Sequence, residues 1–126
     1  MHLHHTACGE TDLTSEVQKH TMVEQRWLEL KAKTFKVFAD PTRLRILEVL
    51  REGESNVSSI MERLNLKQST VSQHLRMLKE CGIVTARRDG REVYYRLKSD
   101  KVLEILDTGD ELLSQTIEEL TSCVCP

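Results

Sequence analysis

Lys67 to Lys79 reads KQSTVSQHLRMLK, and two patterns are superimposed in it. Val71, Leu75 and Leu78 fall at i, i+4 and i+7, so on a helix they share one face and can enter a core. Gln68, Ser69, Ser72, Gln73 and Arg76 lie largely on the other side, with Lys67, Thr70 and His74 beside them. Gln and Arg side chains can pair bidentately with base edges in a DNA major groove, and Ser can bond bases or phosphates. The stretch therefore reads as a DNA-recognition helix. His74 reads as near the DNA, with a packing role as the alternative.

The flanking sequence fits that reading. Upstream, Asp40-Pro41 marks a helix start, because Asp caps well and Pro fits the first turn. This helix runs to about Glu52 with Leu44, Ile46, Leu47, Val49 and Leu50 mostly buried, and Gly53 ends it. ESNVSSIMERLN then opens a third helix, capped by Ser55 or Asn56, with Val57, Ile60, Met61 and Leu64 inward. Asn65-Leu66 turns tightly into the recognition helix. A short helix, a brief turn and a polar-faced helix make a helix-turn-helix, with a generic three-helix bundle as the plain alternative. Downstream, Gly82 stops the helix and IVTARRDGREVYYRLK follows. Asp89-Gly90 predicts a type I′ hairpin turn between strands rich in Val, Thr and Tyr. Arg87, Arg88 and Arg91 sit near its tip, where cations can meet phosphates. Tyr94 and Tyr95 alternate, so one packs inward while the other can reach a phosphate. A basic hairpin directly after a helix-turn-helix reads as a wing.

Long helices bracket this unit. Thr14 to Ala39 predicts one, with a break near His20-Thr21 and an apolar stripe of Trp27, Leu30, Thr34, Val37 and Phe38, widened by Leu28 and Phe35. Ser99 to about Thr121 predicts another, carrying Val102, Ile105, Leu106, Leu112, Leu113, Ile117 and Leu120. A small domain does not need both stripes for its own core, so a homodimer through the first and last helices is expected. Such a dimer would set two recognition helices on an imperfect palindrome in double-stranded DNA. The expected fold is mainly α with a small β-hairpin, a winged helix-turn-helix in the order α-α-α-α-β-β-α. It spans residues 14–121, between a flexible arm over 1–13 and a cysteine-containing tail over 122–126.

Composition sets bounds on this reading. The chain has 126 residues, 39% hydrophobic and 30% charged, as for a globular protein with one modest core. No apolar run is long enough to span a membrane. The opening MHLHHTACGETD lacks a basic n-region and an apolar h-region, so a cytoplasmic location is expected. Net charge is −2, yet residues 67–98 hold eight Lys/Arg against three Asp/Glu, and residues 99–126 one Lys against seven Asp/Glu. A basic block beside an acidic helix suggests one DNA-facing surface. A winged-helix module that binds protein is the alternative of another class. No P-loop, dinucleotide fingerprint or HExxH occurs, and the cysteines lack an evident His partner, so no enzyme is expected.

FADPTRLRILEVL, STVSQHLRMLKECGIV and DGREVYYRL, in this order, resemble the ArsR/SmtB family of bacterial metal- and stress-responsive repressors. The resemblance covers about residues 28–121. It implies a homodimeric repressor released from its operator when an effector binds. It also implies that Gln68, Ser69, Ser72, Gln73 and His74 lie near DNA, with wing arginines on the backbone. Several of the family's effector sites have no counterpart. Where a well-known sensor carries a pattern like ELCVCDL, this chain has Glu54 to Ile60 without a thiol. Ser99, Lys101, Leu112 and Gln115 stand at the places of the zinc ligands on the last helix, and Glu48 near a persulfide-sensing cysteine.

Four cysteines remain: Cys8, Cys81, Cys123 and Cys125. Cys81 resembles one of the positions used by a cadmium- and lead-sensing branch of the family, although Met77 replaces its usual partner. The expected site joins Cys81 of one subunit to Cys123 and Cys125 of the other, with Cys8 as a further donor. Three thiolates suit a soft metal or metalloid: As(III), Sb(III), Cd, Pb or mercury. Simple packing of Cys81 stays open, as does thiol redox or persulfide sensing by the same cysteines.

Overall fold

A computed structural model of the protein describes residues 10–124. Most of the expected arm lies outside these residues, as do Cys8 and Cys125, and for Cys123 only the backbone is described. The first helix, α1, spans Glu10–Phe38 and is continuous. The expected break at His20-Thr21 does not occur. Thr21 Oγ1 donates to the Val17 carbonyl at 2.9 Å, so its hydroxyl is satisfied within the helix, and His20 pairs with Glu24 one turn on. Trp27, Leu28, Leu30 and Phe35 are all exposed. Contacts divide the chain after Lys36.

From Val37 onward one core organises the chain. Helix α2 (Pro41–Arg51) starts as its sequence dictates: Asp40 is extended and its carboxylate accepts the Arg43 N–H at 2.9 Å. Its inner face is Arg43, Ile46, Leu47, Val49 and Leu50. Leu44, expected inside, is 37% exposed, while Arg43 is 9% exposed. The inward stripe begins at 43 and continues through 46, 47 and 50, which leaves 44 outside it. Strand β1 is only Ser55–Asn56. Asn56 then caps α3 (Val57–Leu64) by accepting the Ser59 N–H at 2.8 Å. Asn65, at φ 55°, ends α3 in the left-handed conformation, which Asn tolerates better than most residues. Arg45 reaches across from α2 to the Leu64 carbonyl, one of the acceptors the helix end leaves open.

Helix α4 (Gln68–Glu80) buries Val71, Leu75 and Leu78 completely. Complete burial of such a side chain is worth about 1.5–3 kcal/mol each. Its exit forms a Schellman motif: the Gly82 N–H bonds the Lys79 carbonyl and the Ile83 N–H bonds the Leu78 carbonyl, with Gly82 at φ 74°. Leu78 and Ile83 both join the core. The hairpin follows as β2 (Val84–Asp89) and β3 (Glu92–Leu97), and β1 adds to its free edge in the order β1-β3-β2. Asp89 pairs with Glu92, so the two-residue loop is Gly90-Arg91, one residue later than expected. Gly90 has φ 65° and Arg91 does not have a positive φ. That pattern belongs to a type II′ turn rather than the type I′ turn anticipated. Helix α5 (Asp100–Val124) buries Val102 and Leu106 and exposes Leu112, Leu113, Ile117 and Leu120. No helix among the described residues is long and apolar enough to cross a membrane.

Candidate nucleic-acid interface

The polar face of α4 and one face of the hairpin meet in a shallow groove of about 540 Å³. Ser69, Ser72, Gln73, Arg76 and Lys79 line it from α4, and Tyr95 from β3. The spacing 69, 72, 73, 76, 79 is a single helical stripe, opposite the one anchored by Val71, Leu75 and Leu78. Burial of one stripe therefore fixes the rotation of the other. Lys67 precedes the helix without a side-chain cap, Gln68 is exposed in its first turn, and Thr70 is half-buried.

Several cations outside this groove are paired within the chain. Arg51 binds Glu48 and Asp107, Arg63 binds Glu52, Lys101 meets Glu104 and Arg87 binds Glu54. Among the described residues, Arg76, Lys79, Arg88 and Arg91 have no carboxylate or hydrogen-bonding partner. Cations left without internal partners around hydroxyls and amides form a surface suited to phosphates and base edges.

His74 lies elsewhere than in the groove. Its Nδ1 is 3.2 Å from Arg43 Nη1, on the half-buried side of α4. The same guanidinium nitrogen donates to Met77 Sδ at 3.4 Å, and Arg43 Nε donates to the Val37 carbonyl at 2.7 Å. Arg43 thus fastens α4 to Val37, where the core unit begins. Asp40 sits at the edge of this cluster. The Arg43 backbone N–H holds its carboxyl below the ordinary aspartate range, partly opposed by burial and assisted by the Arg43 guanidinium and His74.

The three wing arginines are not equivalent. Arg87 donates through Nε and Nη2 to both oxygens of Glu54 at 2.8 Å and stacks over the Tyr94 ring at 4.8 Å. This bidentate pair holds Glu54 below the usual carboxylate range. Arg88 and Arg91 are exposed. Reading the sequence alone passes over Lys79 and Arg43 and leaves open which of Tyr94 and Tyr95 can reach a phosphate. Lys79 could have been found as the next member of the 72–76 stripe. Tyr95 needs the strand register, and Arg43 needs the tertiary structure.

Cys81 follows α4 as its C-cap; its N–H bonds the Met77 carbonyl at 3.1 Å and its side chain packs partly against the core. It is a free thiol. Among the described residues, no group of three His, Cys, Asp or Glu could hold a metal ion. Residues 121–124 form the last described turn of α5, which includes Cys123.

Comparison with known proteins points in one direction. Residues 40–86 match the model of the bacterial regulatory protein, arsR family. An uncharacterized HTH-type transcriptional regulator of Methanocaldococcus jannaschii is 46% identical over 85 residues, covering 67% of this chain and 96% of that protein. A probable mercury resistance operon repressor of Streptomyces lividans is 34% identical over 92 residues, covering 73% of this chain and 74% of that protein. The solution structure of a homodimeric winged helix-turn-helix DNA-binding domain from Mycobacterium bovis, a possible ArsR-family regulator, superposes with a TM-score of 0.71 at 30% identity. It covers 76% of this chain and 89% of that one.

Proposed function

The chain belongs to the arsR family of bacterial regulatory proteins and is a transcriptional repressor rather than an enzyme; from that premise we propose how it binds its operator and what releases it. A homodimer grips double-stranded DNA with two copies of α4 and two wings on an imperfect palindrome. Ser69, Ser72, Gln73 and Arg76 face the bases, while Lys67, Gln68, Thr70, Lys79, Arg88 and Arg91 meet the backbone. The observation that carries this is the groove of hydroxyl, amide and unpaired cationic groups on a helix whose opposite face is fully buried. The dimer rests on the exposed apolar stripe of α5, Leu112, Leu113, Ile117 and Leu120, and on the homodimeric state named for the Mycobacterium bovis domain. A C2 pairing of such stripes buries them and spaces the two reading helices.

For release we propose a soft metal or metalloid bound by thiolates: Cys81 of one subunit with Cys123 and Cys125 of its partner, and Cys8 as a further donor. The donor chemistry fits thiophilic ions, and a relative carries a mercury-operon name. Cys81 is the only one of the four whose surroundings are described, and its place is instructive. It is one residue past α4, so a ligand there acts on the exit of the reading helix and on the Schellman turn that fixes it. Binding that favours a tilted α4 would shift the dimer away from its DNA-competent state.

The test is release of a duplex selected by the parent protein from a random-sequence pool. Arsenite, antimonite, cadmium, lead and mercury salts are added in turn, then repeated on a Cys123→Ser/Cys125→Ser variant and on Cys81→Ser. Release by one of these ions that both variants lose is the expected result. A variant that responds like the parent removes those cysteines from the site. Release by oxidants alone would instead favour thiol redox control.

A further inference from the structure

We infer that the two faces of the wing have different duties: Tyr95 and Arg88 extend the DNA-contacting surface of α4, whereas Arg87 on the opposite face is a positioning residue locked by Glu54. This rests on the DNA-binding reading above and assigns its contacts residue by residue.

The strand register carries the argument. In an antiparallel ladder, directly opposed residues share a face and neighbours along a strand alternate. Ala86 opposes Tyr95 and Arg88 opposes Val93, so Tyr95 and Arg88 share the face that continues into the core through Val84 and Leu97. Tyr95 on this face is also the wing's contribution to the α4 groove. Arg87 opposes Tyr94 and Thr85 opposes Arg96, which places Arg87 and Arg96 on the other face. That face borders a separate cleft with Glu54 and the start of α5.

Partnering agrees with the geometry. The Nε/Nη2 edge of Arg87 is used by the two Glu54 oxygens, its Nη1 lies 3.7 Å from Asp89 Oδ2, and its plane covers Tyr94. Moving Arg87 to a phosphate would cost that bidentate pair. Glu54 immediately precedes β1, whose Ser55 and Asn56 pair with Tyr95 and Tyr94. The pair therefore ties β2, at the outer edge of the sheet, to the segment entering α3. It sets the angle of the wing against the helix-turn-helix. Arg88, by contrast, has no partner among the described residues, and the Tyr95 hydroxyl has none either. Tyr95 packs its ring partly against the core and lines the groove, so its unbonded hydroxyl suits a phosphate oxygen beside the α4 contacts. Sequence alone cannot sort these arginines, because Arg87 and Arg88 are adjacent and equally basic.

The experiment measures affinity against salt concentration, by fluorescence anisotropy, for the duplex selected by the parent protein. Arg88→Ala should weaken binding and reduce the slope of log K against log[salt] by about 1.8, the loss of one phosphate contact in each subunit of the dimer. Arg87→Ala and Glu54→Gln should weaken binding about two- to fivefold, the range of an exposed ion pair, while the slope stays at the parent value. Tyr95→Phe should lose severalfold in affinity for selected and mixed-sequence duplexes alike. Arg87→Ala lowering the slope as much as Arg88→Ala overturns the assignment, and so does an Arg88→Ala slope equal to the parent's. Tyr95→Phe binding like the parent removes the hydroxyl contact. If the parent itself shows no salt-dependent binding, the DNA reading fails instead, which is a different result from any of these.

Discussion

Replacing Arg43 by Met keeps most of the stem volume and removes the guanidinium, so it isolates what the polar junction beneath α4 contributes. Arg43 is 9% exposed and its Nε–H···O=C bond to Val37, at 2.7 Å, is buried. A hydrogen bond from a charged donor contributes about 1.5–3 kcal/mol, and its loss here also strands a buried carbonyl. The contacts of Nη1 with His74 and Met77 are half-buried and contribute less, about 1 kcal/mol together. Relief of burying a cation offsets part of the sum. The net expectation is a loss of about 2–4 kcal/mol for Arg43→Met, read from urea unfolding at fixed protein concentration, because the proposed dimerisation would couple to stability. Arg43→Lys should recover only part of it, since one ammonium cannot reach three acceptors in the guanidinium geometry. DNA affinity should fall with an unchanged salt slope, because Arg43 touches α4 from behind. An Arg43→Met midpoint within about 0.5 kcal/mol of the parent, the scatter of ordinary surface substitutions, would refute this account of the junction.

Asp40→Ala should cost about 1 kcal/mol at neutral pH by removing the α2 cap. Because the folded Asp40 carboxyl lies below its unfolded value, its extra contribution is complete above about pH 4 and is lost as pH falls through the folded value. Asp40→Asn still caps but does not titrate, so its unfolding midpoint should fall less steeply than the parent's below about pH 4; matching acid profiles would contradict this. Gly82→Ala should lose about 1 kcal/mol, measured by denaturant unfolding, through the φ of 74° rather than crowding, since an added Cβ would meet only Lys98 Nζ at 3.4 Å. Ile117→Glu, on the exposed stripe of α5, should shift sedimentation from dimer to monomer. An unchanged dimer would move the interface elsewhere.

The sequence was most legible where a single period governs. Val71, Leu75 and Leu78 announced both the core stripe of α4 and, by subtraction, its polar stripe. Asp40-Pro41 and Gly82 marked their helix ends because capping chemistry is local. Legibility failed where a second element supplies the reason. Leu44 lost its expected place to Arg43, because a hydrophobic pattern does not register that acceptors from α1 and α4 converge on a guanidinium. Two-residue β1 carries no period, and only pairing with Tyr94 and Tyr95 defines it. The hairpin was read from its Gly, but the loop was placed one residue early because register depends on both strands. Arg87 looked like its neighbour Arg88 until the strand faces separated them. Cys81 was singled out from the sequence for its thiol, and its half-packed C-cap position fits packing as well as sensing.

The central claim is that the exposed stripe of α4 reads DNA through cations and amides that have no partners within the chain. Its most direct test is the affinity of the full chain for a duplex it selects, measured from low to high salt, with Arg76→Ala alongside. The account predicts that log K falls linearly with log[salt] and that Arg76→Ala binds more weakly than the parent. An affinity indifferent to salt, or an Arg76→Ala variant that binds like the parent, would contradict it.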